Sequence, residues 1–340
     1  MRADRRQILQ GLLGASALAA GLSPAVGRAQ RGEDDSYRIF MITWRGWEDG
    51  SQGFEDYLTR RDIPVELIIR DAARDRANIE AFVQEAKELQ PDLVYTWGTT
   101  TALTTFGRWD QVDPELHITE IPGVFNIVST PVESGLIRGY DEPRPNLTGT
   151  LYLVPVETQL RTIESYGNLG RIGMVFNELE SNSRLTVERV QLVATEQGIE
   201  TIATPVPLLA NGTPDASAIP DLVADLADQQ ADWLYIPPDS FLNVNRDSLT
   251  GIATELGLPS FAGAENFIRD ARGLVGLVSR YYNVGQYAAY LAERILTGSA
   301  TPGEIPVRNL ERFSLLVNRQ TAQSLSFYPP LSMLSLAEFV

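Results

Sequence analysis

The sequence predicts an α/β fold: two doubly wound parallel-sheet lobes joined by a three-segment hinge. Three observations carry this. Short apolar, β-branched runs alternate with helix-spaced apolar residues, and this alternation is the signature of parallel sheets with crossover helices. The order of elements repeats in the two halves of the chain. The connection between the halves is crossed three times.

In the first half, Tyr37–Thr43, Val65–Ile69, Asp92–Trp97 and Gly123–Val128 read as strands. Between them Ile79, Phe82, Val83, Ala86 and Leu89 mark one helix face at three-and-four spacing. In the second half, Arg171–Phe176, Glu200–Val206, Asp232–Ile236 and Pro259–Ala262 read as strands. Leu185, Val187, Val190, Val193 and Ala194 fall on a helix that stops at Gly198. Arg38-Ile39-Phe40-Met41-Ile42 echoes Arg171-Ile172-Gly173-Met174-Val175, and Asp92-Leu93-Val94-Tyr95 echoes Asp232-Trp233-Leu234-Tyr235. Asn146–Val156 reads as the extended first crossover. Gly273–Ser279 is a return strand, Asn283–Leu296 a helix stopped by Gly298, and Phe313–Asn318 a last strand. The expected lobes are residues 37–150 with about 280–304, and 151–279 with about 305–340. A cleft between them lies at the carboxyl ends of the strands.

Composition narrows function. The 340 residues carry a formal charge of −16. Such a surface repels phosphates, so no nucleic-acid partner is expected. There is no cysteine, which excludes disulfides, thiol catalysis and a lipidated N-terminal cysteine. With His117 the only histidine, multi-histidine metal sites are excluded and a serine triad would need that one residue. No metal and no cofactor are expected; Gly-rich phosphate loops are absent.

Residues 1–29 read as an export address. Arg5-Arg6, an apolar run from Gly11 to Leu22 and the small residues around Gly27-Arg28-Ala29 make a signal peptide of twin-arginine type. The run is shorter than the ~20 residues a membrane span needs. A free, exported, periplasmic protein without a membrane anchor is expected. Setting aside this segment, which holds four arginines and one aspartate, leaves a charge of −19.

Leu136–Gly149 with its Pro-x-Asn-x-Thr-Gly run, Thr150–Leu160 with Pro155-Val156-Glu157, and Arg171–Ser183 ending Glu180-Ser181-Asn182-Ser183 carry a resemblance. Pro237-Pro238-Asp239, Tyr281-Tyr282 leading to Gly285, and Ile305-Pro306 follow in the same order. From Tyr37 to about Leu325 the chain resembles the ABC-transporter substrate-binding family that includes bacterial tryptophan- and other aromatic amino-acid-binding proteins. The resemblance implies a type-I periplasmic-binding fold, hinge closure on a small ligand, an ABC permease and its ATPase as partners, and no catalysis. A monomer is expected. The chain departs from the family in Thr43-Trp44-Arg45-Gly46-Trp47-Glu48-Asp49, where a His-Pro loop is usual, and at Arg280, where an acid is usual.

Five loops after strands supply candidate ligand contacts. Trp44, Arg45 and Trp47 offer flat apolar faces and a charge fork. Trp97-Gly98-Thr99-Thr100 offers amides and hydroxyls at a helix start, which would cap the helix or hold an anion. Ser129 stands in the third loop. Ser181, Asn182 and Ser183 start a helix in the second lobe. Asp239 and Phe241 follow a strand; the resemblance suggests that Asp239 holds a ligand amine, whereas an Asx turn is the local alternative. Glu265 and Arg280 complete the rim. The ligand expected is an amino acid or an aromatic or branched carboxylate. The alternatives are a sensing subunit that presents its bound state to a membrane receptor, and a hydrolase using Glu48 and Asp239.

Overall fold

The computed structural model describes residues 36–167 and 169–340. The expected signal segment, Arg5-Arg6 included, lies outside the described residues. Among the described residues no helix is long and apolar enough to cross a membrane.

The first lobe runs β1 (Tyr37–Thr43), α1 (Asp49–Arg60), β2 (Val65–Asp71), α2 (Arg76–Leu89), β3 (Leu93–Trp97), α3 (Thr99–Phe106), β4 (Gly123–Val128) and β5 (Leu147–Leu151). Its sheet has the order β2-β1-β3-β4-β5, all parallel. Helices cover both faces, so both faces must be apolar. Ile39 and Met41 of β1 enter one core cluster, while Phe40 and Ile42 enter another.

The second lobe runs α4 (Val156–Glu164), β6 (Arg171–Phe176), α5 (Ser181–Glu196), β7 (Glu200–Pro205), α6 (Ile219–Asp228), β8 (Trp233–Ile236), α7 (Ser240–Val244), α8 (Arg246–Glu255), β9 (Ser260–Ala262), α9 (Asn266–Arg269) and β10 (Val275–Val278). The chain returns to the first lobe in α10 (Tyr281–Leu296), then re-enters the second as β11 (Ser314–Val317), α11 (Arg319–Leu325) and β12 (Ala337–Phe339). The second sheet is ordered β12-β11-β10-β9-β8-β6-β7, with β11 antiparallel to β10. The orders β2-β1-β3-β4 and β7-β6-β8-β9 are the same, so the echo seen in the sequence is an echo of topology.

Three crossings form the hinge, and Asn309 touches the other two. Its side-chain amide donates to the Leu153 carbonyl at 2.8 Å, and the Ser279 hydroxyl donates to its oxygen at 3.5 Å. The Leu151 amide bonds the Arg308 carbonyl at 3.0 Å. Two strands depart from the sequence reading. Leu147–Leu151, expected as part of an extended connector, is a paired strand of the first sheet. The short β12 was not expected.

Helix α10 packs on α1 backbone to backbone. A Cβ on Gly285 would overlap the Gly50 carbonyl, and one on Gly53 would overlap the Tyr282 carbonyl. Gly53 and Gly285 therefore permit an approach that no side chain would allow. The Tyr57 hydroxyl donates to Glu293 at 2.7 Å and the Tyr282 hydroxyl to Asp56 at 2.8 Å, fixing the register of the pair.

Candidate functional site

In each sheet the strand order reverses at one point, between β1 and β3 and between β6 and β8. Crevices open at such points. The loops that follow these four strands meet across the cleft. They enclose a narrow cavity of about 40 Å3, smaller than the ~300–1,000 Å3 of small-molecule sites.

The first-lobe wall is cationic and aromatic. Arg45 lies 4.9 Å from the centroid of the Trp97 ring, a cation–π stack. Its Nε donates to Glu48 at 2.8 Å, and the side chain is only 12% exposed. Burial opposes its charge, but Glu48 outweighs this by charge and hydrogen bonding, so the pKa is raised. Two of its five N–H groups meet Glu48. Beside it, Gly98 caps α3 with φ of +89°, a conformation that glycine adopts without strain. Having no side chain, Gly98 leaves the first-turn amides of α3 uncapped, with Thr99 and Thr100 lining the cavity.

The strand between these loops and the hinge is bent. Ile127 has φ of +54°, and the β4–β5 register shifts between Phe125 and Val128. A β-branched residue is strained there, at a cost of roughly 1–3 kcal/mol. A buried network holds the kink. Asn126 Oδ1 accepts from the Ile127 amide (3.1 Å) and Thr150 (2.9 Å), and Asn126 Nδ2 donates to the Tyr95 hydroxyl (2.8 Å). The kink turns Ile127 into the cavity wall. Ser129 and Tyr152, hydroxyl to hydroxyl at 3.1 Å, line it alongside Tyr281. Tyr281 meets Tyr152 edge-on at 5.5 Å and Trp97 at 6.2 Å. Burial pushes Tyr152 up to about 12, so its hydroxyl stays neutral.

The second-lobe wall is anionic. Glu180 accepts from the amides of Ser240 (2.8 Å) and Phe241 (3.0 Å), and Asp239 Oδ1 accepts from the Leu242 amide at 2.8 Å. Two carboxylates thus occupy the first turn of α7 and leave no room there for a ligand anion. Asp239 Oδ2 accepts from the Asn177 amide (2.8 Å) and the Ser183 hydroxyl (2.6 Å). Burial, then the charge of Glu180, push Asp239 up to about 7. Oδ1 keeps a lone pair.

A folded pKa above the unfolded one means that the folded protein holds the proton more tightly. The stability that proton contributes is full below about 4 and lost as pH rises to 7. The melting temperature of the free protein should fall between about pH 4 and 7 on this account. Asp239→Asn should flatten that fall; an unchanged slope in the variant would assign it to other groups.

Of the fourteen residues singled out in the sequence, Trp44, Arg45, Trp97, Thr99, Thr100, Ser129, Asn182 and Asp239 line the cavity. Six lie outside it. Trp47 is 39% exposed, with its indole bonded to Gln52. Ser181 opens onto a separate crevice beside Arg184. Ser183 lies beneath Asp239, and the Phe241 ring packs on the core. Arg280, expected as a ligand contact on the rim, bonds Glu265 at 2.7 Å and Glu338 at 2.8 Å instead. Glu265 in turn accepts the Tyr281 amide at 2.6 Å. That pair therefore supports Tyr281 from behind. Ile127, Tyr152, Asn243 and Tyr281 are wall residues that the sequence reading did not select. Only Tyr281 left a signal, in the Tyr-Tyr turn into α10.

Two similar lobes, a three-stranded hinge and a closed polar chamber define a two-lobed solute-binding protein of the type-I periplasmic-binding fold. A sequence profile described as ABC transporter substrate binding protein matches residues 42–340. The chain belongs to this family, as a binding protein and not an enzyme. A tyrosine-binding protein of Clostridioides difficile is 22% identical over 304 residues, covering 89% of this chain and 77% of that one. A Streptococcus pneumoniae ABC domain solved in complex with L-Trp is similar at a TM-score of 0.74 and 19% identity, over 89% of this chain and 99% of that one. A conserved domain protein of Vibrio cholerae is similar at 0.76 and 21%, over 90% and 99%.

Proposed function

We propose that the chain is the exported, periplasmic solute-binding component of an ABC importer, delivering to a permease and its ATPase an amino acid with an aromatic side chain. The observation that carries this is the polarity of the chamber: Arg45 stacked on Trp97 on one wall, Asp239 on the other. The ligand carboxylate lies toward Arg45 and the first turn of α3. Its ammonium lies toward Asp239, whose open lone pair accepts it, and its ring lies among Trp44, Tyr152 and Tyr281. The tyrosine-binding relative and the L-Trp complex support the aromatic class.

Titration calorimetry against the twenty amino acids, aromatic acids lacking the amine, and sugars tests this. Tyrosine, tryptophan or phenylalanine should bind most tightly. An ammonium next to Asp239 favours its charged form, so binding at pH 6.5 should release a proton, seen as heat that varies with buffer ionisation enthalpy. A sugar as the tightest ligand would overturn the assignment.

A further inference from the structure

A second crevice adjoins the chamber at its mouth, sharing Arg45 and Asn243 with it. Both lobes line it, and each contributes an arginine: Arg74 from the loop between β2 and α2, Arg246 from the start of α8. Arg45, the cation of the chamber wall, has a carboxylate partner in Glu48; these two have none. Among the described residues neither has a carboxylate within ion-pair distance. Arg246 donates through Nη1 to the Asn243 carbonyl at 2.8 Å, but its Nε is buried and unbonded. The acids of the crevice are engaged. Glu48 holds Arg45, and Asp71 Oδ1 accepts the amides of Gly46 and Ala73, both at 2.9 Å.

The backbone is bent to present Arg74. Ala73 and Arg74 are consecutive left-handed residues at φ +50° and +65°, tied down by the Arg74 amide to the Trp44 carbonyl at 2.8 Å. The crevice sets Arg45, Arg74 and Arg246 against Glu48 and Asp71, a local excess of one positive charge in a chain of −16, and its arginines from opposite lobes repel each other as the lobes close. An anion between them reverses that sign, and two guanidinium forks suit a carboxylate or phosphate.

We infer that the ligand of this chain carries a second anionic group, held at the cleft mouth by Arg74 and Arg246 while the rest of the molecule fills the chamber. The inference rests on the amino-acid reading of the chamber and extends it to a class: aromatic amino acids extended by a carboxylate or phosphate. The arginines then add to closure only with the extended ligand, so they select it.

The test compares L-phenylalanine and L-tyrosine with 4-carboxy-L-phenylalanine and O-phospho-L-tyrosine, by calorimetry. One anion-extended compound or more should bind at least tenfold tighter than its parent. Arg74→Gln and Arg246→Gln should each erase most of that gain while leaving parent affinity within twofold, and 0.5 M salt should shrink the gain. No gain for any extended compound, or a gain that survives both substitutions, overturns the inference and leaves the chamber assignment intact. Extended compounds that bind where no free amino acid does would sustain the mouth site and overturn the chamber assignment.

Discussion

Gly285→Ala should destabilise the protein by about 3 kcal/mol, at the upper end of what overpacking costs. The added methyl meets the backbone carbonyl of Gly50, which cannot rotate away as a side chain would. Relief requires α1 and α10 to separate, and that strains the Tyr57–Glu293 and Tyr282–Asp56 bonds as well. Thermal denaturation followed by circular dichroism checks this. Gly139→Ala is the control, because a Cβ there meets nothing within 4 Å. A Gly285→Ala melting point within a degree of wild type would show that the helices part at little cost.

Arg45→Ala should weaken ligand binding by roughly 1.5–3 kcal/mol, the scale of a hydrogen bond to a charged group, or about 10- to 150-fold. It removes the cation of the first-lobe wall, uncovers the Trp97 face and leaves Glu48 without its partner. Arg45→Lys should restore little, since an ammonium cannot hold Glu48 and a ligand carboxylate through one planar fork. Arg280→Ala should cost less than Arg45→Ala, because Arg280 reaches the chamber only through Glu265 and the Tyr281 amide. Calorimetry with the tightest aromatic amino acid decides between them. Equal losses in both variants would mean that Arg280 contacts the ligand.

How far the sequence discloses all this depends on what forces each element. Strands buried on both faces read as continuous apolar runs, and β1, β4 and β6 have the bounds their sequences predict. Helix α1 is obscure because Asp49-Gly50-Ser51-Gln52-Gly53 has poor helix propensity. Gly53 serves contact with α10, which lies over 200 residues away in the chain. Edge strand β12 is three residues long, too short for a period to register. Among site residues, those in loops directly after strands were legible, since topology alone places such loops at the cleft. Arg280 and Glu265 also stand at the cleft rim, but whether an arginine turns to ligand or to Glu338 depends on where the C-terminal strand docks. Ile127 was illegible for a different reason. Its role follows from a kink imposed by the Asn126 side chain, and the sequence Val-Phe-Asn-Ile-Val gives only a strand.

The backbone contact between α1 and α10 also determines what can move. Arg45 and Glu48 lie just before the start of α1, and Tyr281 begins α10, immediately after the second crossing. With carbonyl against α-carbon and no side chain between, there is no compressible layer to let one helix slide on the other. The Arg45 side of the chamber and Tyr281 therefore travel as one solid piece. Opening can draw its freedom only from the three short crossings, so the path of the lobes has few degrees of freedom, like a lid on a pinned axle rather than a jaw with soft gums. In the binding cycle proposed above, the grip on a ligand is then set before the ligand arrives, and release requires the whole first lobe to swing away from Asp239 at once.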